Sequence, residues 1–291
     1  MKLLFLGTGA GDFPALDDAT NESTHIAAAR SAGGRNLRYA SAALIGPDLL
    51  IDCHDTRQLK RFQGTTAAIR HLLITHGHWD HFQPRAVLEL ATDLEQPLPV
   101  YGTSVIGAAL DFAAQHEWDE VQGRFRARTE AAPALRLHSV EHGDRFEVGS
   151  ARVTAVRASH MLDKGRLLIE QPALNYVIEQ DGVTLFYGLD SSYLLPETLE
   201  VLAGFRLDAV VLDATFGEMA IDPALSGHMN FAMVAETMAE LRTIGAITDS
   251  SAIILSHISL ASVPPHDQIE SDLARRGITL AYDGMMWTPE S

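Results

Sequence analysis

Cysteine is almost missing from this chain of 291 residues. Cys53 is the only one, so no intramolecular disulfide can form and a reducing compartment is permitted. Basic residues are also scarce, 22 against 38 acidic, which leaves a formal net charge of −16 at pH 7. Gripping a nucleic-acid backbone takes Lys and Arg that displace counterions, so nucleic acid is disfavoured as a partner. Small anions held through a metal are not excluded. Long apolar runs are absent too. The opening Met1-Lys2-Leu3-Leu4-Phe5-Leu6 stops at Gly7-Thr8-Gly9, short of a secretory core, and an acidic loop follows. No stretch is long and apolar enough to span a bilayer. The expectation is a cytoplasmic protein without membrane contact.

What is there suits a large α/β core, because apolar residues make up 46% of the chain. Short strands are expected at 2–6, 42–45, 49–52, 71–75 and 98–101, and again at 151–156, 175–179, 183–187, 209–212, 252–255 and 278–281. Asp181-Gly182 between two of them is a hairpin turn signal. Helices are expected at 56–62, 84–93 (Pro84 in the first turn), 104–117, 196–203, 230–242 (Asn230 as cap) and 266–276. Two sheets with outer helices, in two similar halves and without short-period repeats or an obvious linker, suit one four-layer domain over 1–291. Two segments, 12–38 and 115–133, are weakly patterned. Long irregular segments are often functional loops, and the second reads better as a surface insertion.

The densest chemistry is His76-Gly77-His78-Trp79-Asp80-His81, directly after Leu72-Leu73-Ile74-Thr75. Three imidazoles and a carboxylate in six residues on a glycine-containing turn are hard to explain as packing. Alternate residues after a strand point the same way, so His76 and His78 can converge on one ion. Asp80 and His81 can then turn toward a second. Imidazole and carboxylate donors suit zinc, and manganese or iron when oxygen ligands are added.

This His-X-His-X-Asp-His run resembles the signature of the metallo-β-lactamase fold, an αββα sandwich. His160, Asp190 and His257 follow later strands in the order of that family's further ligands, and Asp52 matches its buried structural aspartate. The resemblance implies one divalent ion on His76, His78 and His160 and a second on Asp80, His81 and His257, bridged by Asp190, with zinc or manganese the metals expected. Such a pair, about 3.5–4 Å apart, would acidify a bridging water for attack on phosphorus or carbonyl carbon. Redox di-iron relatives carry a carboxylate where His78 stands, so the histidine favours hydrolysis.

Ser226-Gly227-His228-Met229-Asn230-Phe231 precedes an expected helix, whose free N–H groups suit a phosphate. His228 there can clamp a phosphoryl oxygen or protonate the leaving oxygen, as a non-ligand histidine does in the phosphodiesterase branch of the fold. Asp80 and His228 are the candidate catalytic residues. The opening Gly7-Thr8-Gly9-Ala10-Gly11 has the wrong spacing for a dinucleotide site. Together with Pro14, Arg30, Gly33-Gly34-Arg35-Asn36, Ser41 and Leu255-Ser256-His257-Ile258-Ser259, it is similar to the phosphoribosyl 1,2-cyclic phosphate phosphodiesterases of phosphonate metabolism. Relatives there hold a structural zinc with three loop cysteines and a histidine three residues after the last metal histidine. This chain has no loop cysteine and carries Leu260 at that place, so that site is not expected.

Arg30, Arg35 and Arg38 can line a phosphate entrance or simply belong to a solvated loop. His54, Asp55 and Arg57 are possible pocket residues, and Asp213 is a candidate to fix the tautomer of a ligand histidine. His71, His116, His138, His142 and His266 read as structural or exposed. The leading expectation is a phosphodiesterase for a small cyclic or diester phosphate. Its rivals are a thioester or lactone hydrolase, a tRNA 3′-processing nuclease, disfavoured by charge, and a non-catalytic accessory protein. A homodimer is implied by the resemblance alone.

Overall fold

A computed structural model describes residues 1–160, 173–223 and 226–289. In chain order the strands of the first half are β1 (Leu3–Gly7), β2 (Ala42–Ile45), β3 (Leu49–Ile51), β4 (His71–Leu73), β5 (Leu98–Gly102), β6 (His116–Asp119), β7 (Arg124–Ala127) and β8 (Leu135–Ser139). Those of the second half are β9 (Arg145–Val148), β10 (Ala151–Arg157), β11 (Leu174–Gln180), β12 (Val183–Gly188), β13 (Ala209–Asp213), β14 (Ala252–Ser256), β15 (Ile278–Leu280) and β16 (Met286–Trp287). The helices are α1 (Thr24–Ala32), α2 (Arg57–Gln63), α3 (Pro84–Thr92), α4 (Ser104–Gln115), α5 (Pro196–Leu202), α6 (Phe231–Thr243) and α7 (His266–Arg275).

Two seven-stranded sheets result, ordered β16-β1-β2-β3-β4-β5-β8 and β15-β14-β13-β12-β11-β10-β9. Each joins an antiparallel part, such as β10-β11-β12, to a parallel part, such as β12-β13-β14-β15. The parallel strands carry unbroken apolar runs (Ala209-Val210-Val211-Leu212) because both of their faces are covered. One face meets the other sheet: Phe5, Ile51 and Leu73 pack with Val153, Tyr176 and Val211. The outer face of the first sheet lies under α2, α3 and α4, through residues such as Leu59, Val87 and Leu110. That of the second lies under α5, α6 and α7, through Leu202, Leu241 and Leu273. This is the expected αββα sandwich.

Local signals account for most boundaries. Asp181 and Gly182 both have positive φ (54° and 75°), the combination a tight two-residue hairpin needs. Asn230 caps α6 by accepting from the Met233 N–H at 2.9 Å. Two expectations need correction. The helix expected over 104–117 stops at Gln115, and the chain turns into the two-stranded sheet of β6 and β7, whose Trp118 and Phe125 stand opposite each other. The weakly patterned segment 12–38 contains α1, started by Ser23. Its alanine-rich turns (Ala27, Ala28, Ala29) have little apolar periodicity to betray them. In the same region Leu260 packs with Phe13, Leu16, Ile26 and Ala29. An apolar cluster thus stands where the resemblance would place a structural zinc.

Candidate metal centre

Seven side chains from both sheets meet where strands end. His76, His78, Asp80 and His81 follow β4, His160 follows β10, Asp190 follows β12 and His257 follows β14. Three non-glycine residues here take the left-handed conformation: Asp52 (φ 62°), Asp190 (φ 53°) and His257 (φ 57°). Each sits just past a strand and is bent out of extended geometry, which redirects its side chain from the sheet face into the cleft.

Among the described residues the donors form overlapping groups, of which Asp190, Asp213, His228 and His257 are one and two others match the expected ion sites. Nitrogens of His76, His78 and His160 lie within 4.8 Å of one another, and so do ligand atoms of Asp80, His81 and His257. Asp190 joins them: its Oδ2 is 3.0 Å from His81 Nε2, while its Oδ1 is 3.4 Å from His257 Nε2 and 3.6 Å from His160 Nε2. His76 Nε2, His81 Nε2, His257 Nε2 and Asp190 Oδ2 are all buried without a hydrogen-bond partner among the described residues. Buried polar atoms are rarely left so. Four of them converging is the donor set a pair of divalent ions needs, and nitrogen with carboxylate oxygen suits zinc.

The far side of three of these rings is held. His81 donates from Nδ1 to Asp52 Oδ2 at 2.8 Å. Asp52 also accepts from the Thr75 N–H and hydroxyl. His160 donates from Nδ1 to the Gly227 carbonyl at 2.8 Å. His257 Nδ1 lies 2.8 Å from Thr215 Oγ1, whose own proton goes to the His257 carbonyl. These contacts put the ring protons on Nδ1 and leave Nε2 for a metal. Asp213 was expected to hold a ligand histidine. Instead it takes the Nδ1 proton of His228 at 2.6 Å and lies 3.5 Å from His257 Nδ1. Thr215 has the tautomer-fixing part, and no sequence signal reaches across the 42 positions from Thr215 to His257.

The charge balance differs between the groups. Burial lowers His76, His78 and His160 (the last to about 3), so these imidazoles stay neutral with a lone pair to give. Burial opposes charge on His81 as well, but Asp190, Asp80 and Asp52 outweigh it and hold the ring well above its ordinary value. His257 goes up to about 9: burial is overcome by Asp190 and Asp80. Burial likewise opposes ionisation of Asp80 and Asp190, and the facing histidines override it, keeping both carboxyls low. This half of the cleft draws positive charge.

His228 stacks on His257 (5.0 Å between centroids, 12° between planes) and reaches His160 at 4.7 Å. The expected phosphate cradle at the start of α6 needs correction. The Met233 N–H goes to Asn230 and the Phe231 N–H to the Gly217 carbonyl at 2.7 Å, so two of the first N–H groups are engaged and His228 is the polar group beside the converging ligands. The loop arginines are likewise engaged. Arg30 donates to the Asp18 carbonyl and Arg35 pairs with Asp267 and Glu270. Arg38 is buried, donating to Thr8 Oγ1 and the Ala281 carbonyl, and burial lowers it to about 10. They hold the loop rather than line an entrance. Asp55 and Arg57 pair with each other at the start of α2. His116 and His138 stack on Phe112 and Tyr101, His142 accepts from the Arg157 N–H, and His266 lies beside Arg38. His71 packs near Gly149. At the mouth of the cleft, sequence reasoning missed a ring cluster: Phe13, His54 and Trp79 have centroids 5.2–5.5 Å apart.

Known structures share the fold. In fold, the chain is similar to zinc-bound PqqB from Methylobacterium extorquens (TM-score 0.70, 20% identity, 99% of this chain and 100% of that one). It is similar to a diphosphatase of the PhnP family (0.69, 19% identity, 99% and 98%) and to the short form of human tRNase Z (0.61, 20% identity, 100% of both). No curated protein matches it in sequence. The profile of the family described as the beta-lactamase superfamily domain matches residues 47–258, a span that takes in all seven converging side chains. The chain therefore belongs to that superfamily, whose metallo-β-lactamase fold implies a metal-dependent hydrolase.

Proposed function

We propose that the protein is a phosphodiesterase acting on a small cyclic or diester phosphate, with two divalent ions (zinc or manganese) held by the seven side chains. His76, His78 and His160 hold one, Asp80, His81 and His257 the other, and Asp190 is shared. When bound, such ions acidify water and polarise the oxygens of a phosphoryl group. The observation that carries the substrate reading is His228, a histidine outside the two ligand groups, braced by Asp213 and stacked against His257. Because a carboxylate only accepts, His228 Nδ1 keeps its proton and the free Nε2 falls on the opposite edge of the ring. That atom is placed to bind a phosphoryl oxygen or move a proton at the leaving oxygen. A thioester hydrolase, whose thiolate leaves without a proton, has less need for it.

Similarity to a PhnP-family diphosphatase supports a phosphate ester. No described helix is long and apolar enough to cross a membrane, and a cytoplasmic location is part of the proposal. The test is to load the purified chain with zinc or manganese, count its ions, and assay bis-p-nitrophenyl phosphate, a cyclic nucleotide, a thioester and a lactone. Two ions and cleavage of the phosphodiesters are expected. Thioester or lactone cleavage alone would overturn the substrate reading, and a single ion the dinuclear one. Sedimentation of the same preparation checks the homodimer that the family resemblance implies.

A further inference from the structure

We infer that Trp79, backed by Phe13 and His54, is a binding subsite for a planar aromatic group on the substrate, so that the phosphodiester cleaved carries a ring; this rests on the phosphodiesterase reading. Trp79 lies between His78 and Asp80, and its backbone carbonyl is held by two side chains. Its carbonyl accepts from His54 Nδ1 at 2.6 Å and from Gln83 Nε2 at 3.1 Å. Its indole lies against Phe13 at 5.3 Å with 31° between planes, and His54 stands edge-on to both rings. Phe13 is itself anchored in the apolar cluster of Leu16, Ile26 and Leu260.

Support on one side has a consequence for the other. Trp79 remains 44% exposed although Phe13 lies tilted against it, so much of the residue is still open to a ligand. The Cζ2 edge of the indole lies beside Gly11. A Cβ at Gly11 would lie 3.3 Å from Asp80 Oδ2 and 3.8 Å from Trp79 Cζ2, so the indole and the carboxylate adjoin across one glycine. The platform and the ions would thus share one cleft. A rigid, half-wet indole leaves apolar surface in water that a planar partner would cover at little entropic cost. Base–aromatic stacking of this kind needs no basic groove, which agrees with the acidity of the chain. A nucleobase one sugar away from the phosphorus and an aryl group attached to it directly share this chemistry.

The test is binding to the metal-loaded protein of AMP, ribose 5-phosphate and phenyl phosphate, followed by tryptophan fluorescence and calorimetry. At least one ring-bearing ligand is expected to bind about tenfold more tightly than ribose 5-phosphate. AMP alone doing so identifies a nucleobase, phenyl phosphate alone an aryl group. The advantage should fall below about twofold in Trp79→Leu and return in Trp79→Phe. If Trp79→Leu loses its ions, Phe13→Leu, which unseats the indole from outside the metal motif, should shrink the advantage instead. No preference for a ring in the parent chain, or a preference unchanged in both Leu variants, would overturn the inference. Ring-dependent binding without cleavage of any phosphodiester would sink the proposed activity and leave the subsite standing. Cleavage without ring preference does the reverse.

Discussion

His228 donates from Nδ1 to Asp213 Oδ2 across 2.6 Å, and the same carboxylate accepts from the Thr215 and Met229 N–H groups through Oδ1. Asp213 is therefore anchored on one oxygen and presents the other to His228, with the His257 ring 3.5 Å away. His228→Ala should lower kcat on phosphodiesters by about 10²–10⁴-fold, the range for loss of a positioned proton donor or acceptor. Asp213→Asn should cost less, because the ring stays but loses its brace. Metal content should remain at two in both, as measured by atomic emission; ion loss from His228→Ala would recast that histidine as a ligand.

Asp52 accepts three hydrogen bonds while fully buried, one from His81 and two from Thr75. Asp52→Ala leaves those donors unpaired, a cost of about 3 kcal/mol. It also frees His81 to rotate, which should weaken the metal on that side by about 10–100-fold. Denaturant melts and metal titrations separate the two effects.

Gly227 is a close-approach glycine. A Cβ there would come 2.5 Å from His160 Nδ1 and 3.1 Å from its Cε1. Gly227→Ala should displace the ring and cost about 10²-fold in kcat, as small misplacements at reacting centres do. Metal counts should drift toward one, and the melting temperature should fall by the share that the lost ion contributes. An unaltered two-ion stoichiometry would show that the loop yields instead of the ring.

Removing the ions should destabilise the fold. Ligands that bind only the native state stabilise it by mass action, about 2.7 kcal/mol per site at a hundredfold excess over Kd. For a chain of this size, treatment with a chelator should lower the melting temperature by about 5–10 °C. Calorimetry with zinc restored checks reversibility.

Asp283 gives a pH signature away from the cleft. It accepts from the Thr8 N–H and hydroxyl and from the Tyr39 N–H, yet burial outweighs these bonds and pushes its carboxyl up to about 6. A carboxyl raised above its unfolded value binds its proton more tightly when folded. Its contribution is therefore most favourable below about pH 4 and is lost as pH rises through 6, by about 2–3 kcal/mol. Asp283→Asn lacks this term, so the stability difference between parent and variant should tilt toward the variant over pH 4–7. Parallel urea melts at several pH values read it directly.

The metal groups were legible because their residues crowd one turn or follow apolar strands, and both patterns survive in a single sequence. Strand cores such as 209–212 were legible for the same reason. The bracing residues were not. Thr215 and Gly227 act on histidines 42 and 67 positions away, and nothing local to them marks the contact. Arg38 shows the opposite limit. A guanidinium in an irregular loop looks available to substrate, and only the fold reveals that it is buried against Thr8 and Ala281. β8 and β9 escaped because exposed charged residues (Arg136, Arg145, Glu147) interrupt them at the sheet edges.

The three left-handed strand ends, Asp52, Asp190 and His257, carry a consequence for how this sequence can drift. Glycine adopts that conformation freely, whereas a side chain there costs on the order of 1 kcal/mol. A library randomised at Asp190 and His257, leaving Asp52 with its buried hydrogen bonds intact, should split under different selections. Screening for heat resistance alone, with chelator present, should enrich glycine and asparagine. Screening for turnover should return aspartate and histidine, the choices least comfortable for the backbone. Conformational discomfort at strand ends would then be a mark of selection for chemistry, readable from backbone angles before any ligand is known.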